Sequence, residues 1–423
     1  MIQKRSGFGR RTATLRTGLT ACVTASSLLL WAAPLFGQKV GINGEIRSRI
    51  EYRDGFRKPL ADTLNGAMVG SLRTRIQLDY AHEKTKAKIT LQDARIYGQT
   101  GTNDTRNSLG IYEAWGSYAV TPCFSITLGR QAIEYDDKRL LTVSNWSNTG
   151  NAHDLLLLKY ESPGQFKLHL GGAWNNSGDN DYEQAYTLAR SYKALTYIWF
   201  GKSLGKLDFS AIWLNDVFDY GEPDTGGTGK KAFRNTLGGN LGLKRKELPF
   251  SFYATGYYQF GHDPKNNPLD ACLLALNTQY QFAGAWTLAA GVDYFSKNFN
   301  KLYGSNHSFN GSMEYWTTLP AQGLCDLYGS LTFRPSPKFD INAAFHTFSP
   351  AEKLPGTDKK NIGSEIDLTA NYTVSPQLSI QGGWSAYFKT RQTDILKSQT
   401  AITTHFPQWA YIMLVFKPRF LNK

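Results

Sequence analysis

The chain has seven histidines and four cysteines, so their spacing decides whether an active site is on offer. His82, His153, His169, His262, His307, His346 and His405 lie on separate segments. None has a serine or cysteine at a local spacing that suggests the hydrogen-bonded nucleophile–base pair of covalent catalysis. His153 and Asp154 are neighbours, and in an extended chain neighbours point to opposite faces. No phosphate-cradling glycine loop, zinc-ligand spacing or dinucleotide fingerprint occurs. Cys123, Cys272 and Cys325 stand too far apart in sequence to suggest a metal pair or a disulfide framework. Cys272 and Cys325 would head strands separated by one other strand, about 10 Å, beyond the roughly 7 Å that a bridge spans. The sequence therefore suggests no catalytic residue, metal site or cofactor.

What remains is charge set in strict alternation. Val40, Ile42, Gly44, Ile46, Ser48, Ile50 and Tyr52 share one face of an extended segment, against Asn43, Glu45, Arg47, Arg49, Glu51 and Arg53. The next segment repeats the scheme, with Leu72, Thr74, Ile76, Leu78 and Tyr80 opposed to Arg73, Arg75, Gln77 and Asp79. Carried along the chain, the polar face gathers Arg47, Arg49, Arg53, Arg73, Arg75, Lys88, Lys159, Lys167, Lys193 and Lys244. Glu45, Glu51, Asp79, Glu113, Asp208, Glu365 and Asp367 interleave with them. In a water-filled lumen such cations select anions, and arginine forks match carboxylates bidentately. The plainer reading is that these charges only brace and solvate a wall.

The elements that would carry them are long strands. Eighteen alternating segments lie near 40–53, 69–83, 86–97, 108–120, 124–135, 153–161, 165–175, 189–201, 206–219, 232–245, 250–261, 270–282, 286–295, 325–334, 339–348, 362–374, 377–389 and 408–418. A tilted strand crosses a bilayer with about 9–11 residues, whereas globular strands average about 5–6. Connections alternate by parity. Those such as 83–85, 121–123 and 162–164 are short, while 54–68, 98–107, 136–152, 176–188, 220–231, 262–269, 296–324, 349–361 and 390–407 are long. Tight periplasmic turns, longer outer loops and an even strand number are the pattern of a bacterial outer-membrane barrel. Tyr112, Tyr118, Trp174, Phe252, Phe260, Phe282, Tyr372 and Phe388 fall where aromatic girdles belong. In the last segment Ala410, Ile412, Leu414 and Phe416 point outward. The fold expected is all-β: a transmembrane antiparallel β-barrel of about 18 strands with short periplasmic turns and long extracellular loops.

The amino terminus supplies the address. Lys4, Arg5, Arg10, Arg11 and Arg16 precede an apolar run ending near Gly37, which reads as a signal peptide over 1–37. One barrel domain then spans 38–423 in the outer membrane. Its first strand starts almost at once, leaving no room for an amino-terminal plug. A barrel of about sixteen or more strands holds an aqueous channel, so passive conduction is expected.

By parity, the polar stretch 136–152 is the third outer loop, a position that in many porins folds inward as a constriction. Around it stand Gly129-Arg130-Gln131, Tyr135-Asp136-Asp137-x-Arg139-Leu140, Asn145-Trp146 and the returning Asp154. This block resembles the signature of the alginate-export family of outer-membrane barrels, with His153 departing from the aromatic usual before the aspartate. The resemblance implies an eighteen-stranded barrel with a basic pathway for an anionic uronate polymer. It also implies that Arg130, Asp136, Arg139 and Asp154 belong to the pore-lining and constriction set. With Arg47, Arg49, Arg73, Arg75, Glu113 and Asp137 they form the expected solute-contacting residues. Expected partners are outer-membrane lipid, an anionic saccharide or small anion, and periplasmic export or uptake proteins, with no nucleic acid. The alternative is a barrel closed by its loops that serves a structural or surface-anchoring role.

Overall fold

The computed structural model describes residues 37–423 except 101–107, 187, 189–190, 221–229, 244–246, 306, 359, 399–402 and 423. The expected signal segment, Lys244 and most of the long connection 220–231 lie outside the described residues. The first strands are β1 Lys39–Asp54, β2 Ala67–His82, β3 Thr85–Ile96, β4 Leu109–Ala119, β5 Phe124–Gln131 and β6 His153–Glu161. Next come β7 Lys167–Trp174, β8 Ala194–Leu204, β9 Leu207–Tyr220, β10 Lys230–Leu243, β11 Phe250–His262 and β12 Pro268–Phe282. The circuit ends with β13 Trp286–Phe295, β14 Leu324–Ser336, β15 Phe339–Ser349, β16 Gly363–Ser375, β17 Leu378–Phe388 and β18 Gln408–Phe416.

Each strand pairs antiparallel with its neighbours in sequence, and β1 pairs with β18 from Ile46↔Phe416 to Asp54↔Gln408. The sheet closes on itself and has no free edge, as lipid requires of a spanning sheet. Pro418 lacks the N–H a ladder needs. It breaks the last strand, and Arg419–Asn422 resumes against β1 with a register shift at Ile42/Asn43. The eighteen-stranded antiparallel barrel expected from alternation is the fold found.

Burial is inverted relative to a soluble protein. Ile46, Ile50, Ile76, Leu78 and Ile89 are exposed on the outside, while Arg47, Arg49 and Arg73 are buried inside. Tyr118, Trp174, Phe260, Phe282, Tyr372 and Phe388 are exposed outward near strand ends. Tyr112 is a correction. Thr90 pairs with Glu113 but Leu91 with Ile111, so Tyr112 is the extra residue of a β-bulge. The bulge turns two consecutive side chains, Tyr112 and Glu113, to the inside, which strict alternation forbids.

The long connections include loop 3 (132–152), loop 4 (175–193), loop 7 (296–323) and loop 9 (389–407). Loop 6 (263–267) is shorter than the expected 262–269. The apolar core sits inside the lumen at the height of these loops. Ile133, Leu140 and Leu141 of loop 3 meet Leu155, Leu157, Leu195, Ile212 and Leu214 of the wall. Met313, Tyr315 and Trp316 of loop 7 join the same core, with Phe295, Leu324, Phe348, Ile362 and Tyr387. Helix α1 (Arg391–Leu396) in loop 9 is capped by Thr390, and Lys397 behind it donates to the carbonyl of Tyr315.

Candidate functional site: loop 3 inside the lumen

Loop 3 crosses the lumen and is anchored at two ends. At its start, Arg139 Nη1 and Nη2 donate to the two oxygens of Asp293 on β13, both at 2.7 Å, and Nε donates to Asp137 at 2.8 Å. Thr255 Oγ1 donates to Asp137 at 2.8 Å, and Trp199 Nε1 to Asp136 at 2.9 Å. Burial pushes the Arg139 guanidinium towards neutrality, but Asp293 and Asp137 outweigh it and hold the charge. Burial raises the Asp136 carboxyl above the usual carboxylate range, although Ser210 and Trp199 oppose this.

The tip docks on the arginines of β1 and β2. Arg47 donates to the carbonyls of Asn145 at 2.5 Å and Ser147 at 2.7 Å. Arg73 reaches the same two carbonyls at 3.1 Å and the Asn145 side-chain oxygen at 2.8 Å, while its Nε pairs with Glu45 at 2.7 Å. Arg49 donates to the Trp146 carbonyl at 2.9 Å, with its guanidinium 4.4 Å from the Trp146 ring centre. Arg75 lies 3.7 Å from the Tyr112 ring and donates to Thr149 O at 3.3 Å. Carbonyls of a polar loop tip need donors once they leave water. The arginine-rich strands supply them, so Arg47, Arg49 and Arg73 are clamps for the loop and not an open basic surface.

Loop 7 locks onto loop 3 from the other side. Tyr303 N donates to Leu140 O and Ser305 N to Lys138 O, both at 3.0 Å, around the parallel bridge Leu141↔Tyr303. A Cβ on Gly304 would stand 2.0 Å from the Arg139 carbonyl oxygen, so only glycine allows this approach. His307 stacks on Trp146 with ring centres 3.7 Å apart, and its Nδ1 lies 3.3 Å from Glu314, which also holds Arg57 at 2.6 Å.

Two of the expected pore residues lie outside the lumen. Arg130 and Asp154 share the outward face of Leu128 and Leu156, and they pair with each other across β5 and β6 at 2.9 Å on the outside of the wall. Alternation from Leu128 settles this, because Gln131 and His153 take the inward positions. Arg130→Gln is therefore expected to cost well under about 1 kcal/mol, as exposed ion pairs do. Single-channel conductance should stay at the parent value, and a changed conductance would put Arg130 back in the path. Lys193, expected on a strand, lies in loop 4 and pairs with Glu183 at 3.0 Å. Sequence reasoning also missed Asp293, Asp216 and the packing of loop 7 inside the lumen, although it placed a long outer loop at 296–324. A lone acid such as Asp293 inside the apolar run of β13 was the available signal.

Lys301 of loop 7 donates to Asn310 Oδ1 at 2.6 Å and Trp316 O at 2.7 Å. Burial lowers it from the ordinary 10.5 to about 7, and burial lowers Lys397 from 10.5 to about 8. Released loops would bind more protons than docked ones between those values and 10.5. Docking of loop 7 should accordingly strengthen as pH rises from about 7 to about 10.5, with no such gain below about 7. A spin label at the exposed Thr318 should lose mobility over that range. Lys301→Met with Lys397→Met should flatten the profile, and an unchanged profile would assign the effect elsewhere.

Below loop 3, towards the short turns, cavities open in the lumen, two of which differ in their lining. One, of about 470 Å³, is lined by Lys86, Lys88 and Lys159 with Glu113, Glu134 and Glu161. The other, of about 340 Å³, lies against β11–β15. Among the described residues no group of three or more histidines, cysteines and acids is placed to hold a metal ion.

A closed eighteen-stranded barrel with polar inner and apolar outer faces, and a long loop folded inside, defines an outer-membrane barrel of the porin type. The chain belongs to the alginate-export family, which matches residues 38–389. Among solved structures it is similar to OccAB4 of Acinetobacter baumannii, with TM-score 0.63 and 9% identity over 90% of this chain and 98% of that one. OccK11 (OpdR) of Pseudomonas aeruginosa gives 0.61 and 8% over 91% and 96%. OpdK of Pseudomonas aeruginosa, solved with vanillate, gives 0.59 and 12% over 90% and 99%. At these identities the likeness concerns the fold. Comparison with curated protein sequences gives no match.

Proposed function

We propose that this protein is a passive outer-membrane channel for anionic saccharides, including uronate oligomers, or other small anions, narrowed by loop 3. Membership of the alginate-export family supports an anionic polymer as the solute class. The observation that carries the reading is the charge of the cavity below loop 3. Lys88 pairs with Glu113 at 3.1 Å, Lys138 with Glu134 at 3.1 Å, and Lys167 lies 3.9 Å from Glu161. Lys86, Lys88 and Lys159 match Glu113, Glu134 and Glu161 in the lining itself, and Lys138 and Lys167, set beside it against two of those acids, bring the positive surplus. Cations on a low-dielectric wall draw anions into the mouth, and Arg47, Arg49 and Arg73, engaged on the loop, contribute only their longer-range field.

The experiment is reversal potential in a KCl gradient across a planar bilayer. The channel should prefer chloride, and Lys86→Glu with Lys159→Glu should move the potential towards cation preference. Uronate oligomers should block the current at lower concentration than neutral oligosaccharides of equal length. Cation preference in the parent channel would overturn the basic-pathway reading. A second reading, a barrel closed by its loops, draws on the packed core that loops 3 and 7 build across the lumen. A barrel silent under any gradient would favour it.

A further inference from the structure

We propose that the cavity against β11–β15 is a docking site for one neutral sugar ring. This deepens the channel reading, on which it rests, by giving the lumen a second kind of contact beside the lysines. The cavity, about 340 Å³, is at the low end of the roughly 300–1,000 Å³ of small-ligand sites, room for a single ring.

Its charged groups are already committed. Arg139 is forked onto Asp293 and held by Asp137, and His346 Nδ1 lies 3.0 Å from both oxygens of Asp326. One guanidinium between two carboxylates leaves no positive surplus, so a carboxylate ligand would meet repulsion here.

The uncharged lining mixes polar groups, among them Tyr253, Thr255, Asn277, Tyr328, Ser330 and Asn342, with the apolar Ala275, Phe309 and Ala344. Asn342 donates its amide to Thr332 at 2.8 Å, which fixes the side chain and leaves its oxygen as an acceptor. Asn277 donates to the Tyr328 hydroxyl at 3.3 Å and accepts from Gln279 at 3.2 Å, so it is held as well. Tyr328 is stacked on His346 with ring centres 5.3 Å apart, which fixes its plane. Hydroxyls both donate and accept, as the hydroxyls of a sugar do. Fixed amides and aromatic rings that present one apolar face complete a recognition set for a pyranose. The lysine-lined cavity against β3–β7 lacks this neutral character and would take the charged groups of a solute instead.

The test is calorimetric titration of the full-length protein in detergent with glucose and, separately, glucuronate, which adds only a carboxylate to the ring. Glucose should bind one site saturably, and glucuronate should bind that site several-fold more weakly. Asn342→Leu and Ser330→Val should each weaken glucose binding about fivefold, one net hydrogen bond apiece. Ser330→Ala serves if Asn342→Leu does not fold. Glucuronate binding as tightly as glucose, no binding of glucose, or affinities unmoved by the variants would each overturn the proposal. Absent sugar binding together with chloride-preferring conductance would overturn the docking site alone. Glucose binding by a barrel that conducts nothing would leave the docking site standing and overturn the channel reading.

Discussion

Arg139→Leu is expected to release the start of loop 3 from the wall. Asp293 is only 1% exposed, and the guanidinium it loses is its bidentate partner. Removing one member of a buried ion pair costs about 3–5 kcal/mol, because the other charge stays buried without compensation. That cost falls on docking of the loop and not on the barrel, whose strand ladder does not involve Arg139. Limited proteolysis should cut within 132–152 in the variant and not in the parent, while the barrel keeps its resistance to unfolding in detergent. Conductance should rise as the constriction loosens. Adding Asp293→Leu should recover much of the loss, since an apolar pair can replace a buried ion pair with little penalty. A loop as protected in Arg139→Leu as in the parent would show that the Asp137 and Trp199 contacts suffice.

The same residues explain what the sequence could disclose. Strand pattern and loop parity follow from backbone chemistry in lipid, so the eighteen strands were legible. Side-chain direction was legible wherever alternation holds, and it failed at Tyr112 because a bulge adds a residue without a compositional mark. Arg130 and Asp154 were legible from Leu128 and Leu156, but the motif resemblance pointed inward and misled. The inner core was half visible. The runs Leu155–Leu158 and Ala211–Leu214 are apolar on both faces, which a water-filled lumen does not explain and a loop packed inside does. Long-range partners such as Arg139 and Asp293, 154 residues apart, leave no local signal.

The tip of loop 3 gives the second large effect. Arg47→Ala with Arg73→Ala removes the donors that serve Asn145 O, Ser147 O and the Asn145 and Asn148 side chains. Hydrogen bonds to charged groups contribute about 1.5–3 kcal/mol each, so losing two guanidinium anchors should cost several kcal/mol of tip docking. Arg73 is also the ion-pair partner of Glu45 at 2.6 Å, which the variant removes. The double variant should show loop motion as conductance noise. Arg73→Lys should recover only part of the hold, because an ammonium cannot reach two carbonyls and Glu45 in one fork. Combining the tip variant with Arg139→Leu separates two pictures of the loop. Independent anchors give losses that add, as distant sites do. A loop that docks as one cooperative unit gives a combined loss smaller than the sum, since either release alone already frees most of it. Loop 7 favours the second outcome, because its hydrogen bonds to Lys138 O and Leu140 O and its His307–Trp146 stack tie the Arg139 end of loop 3 to its tip.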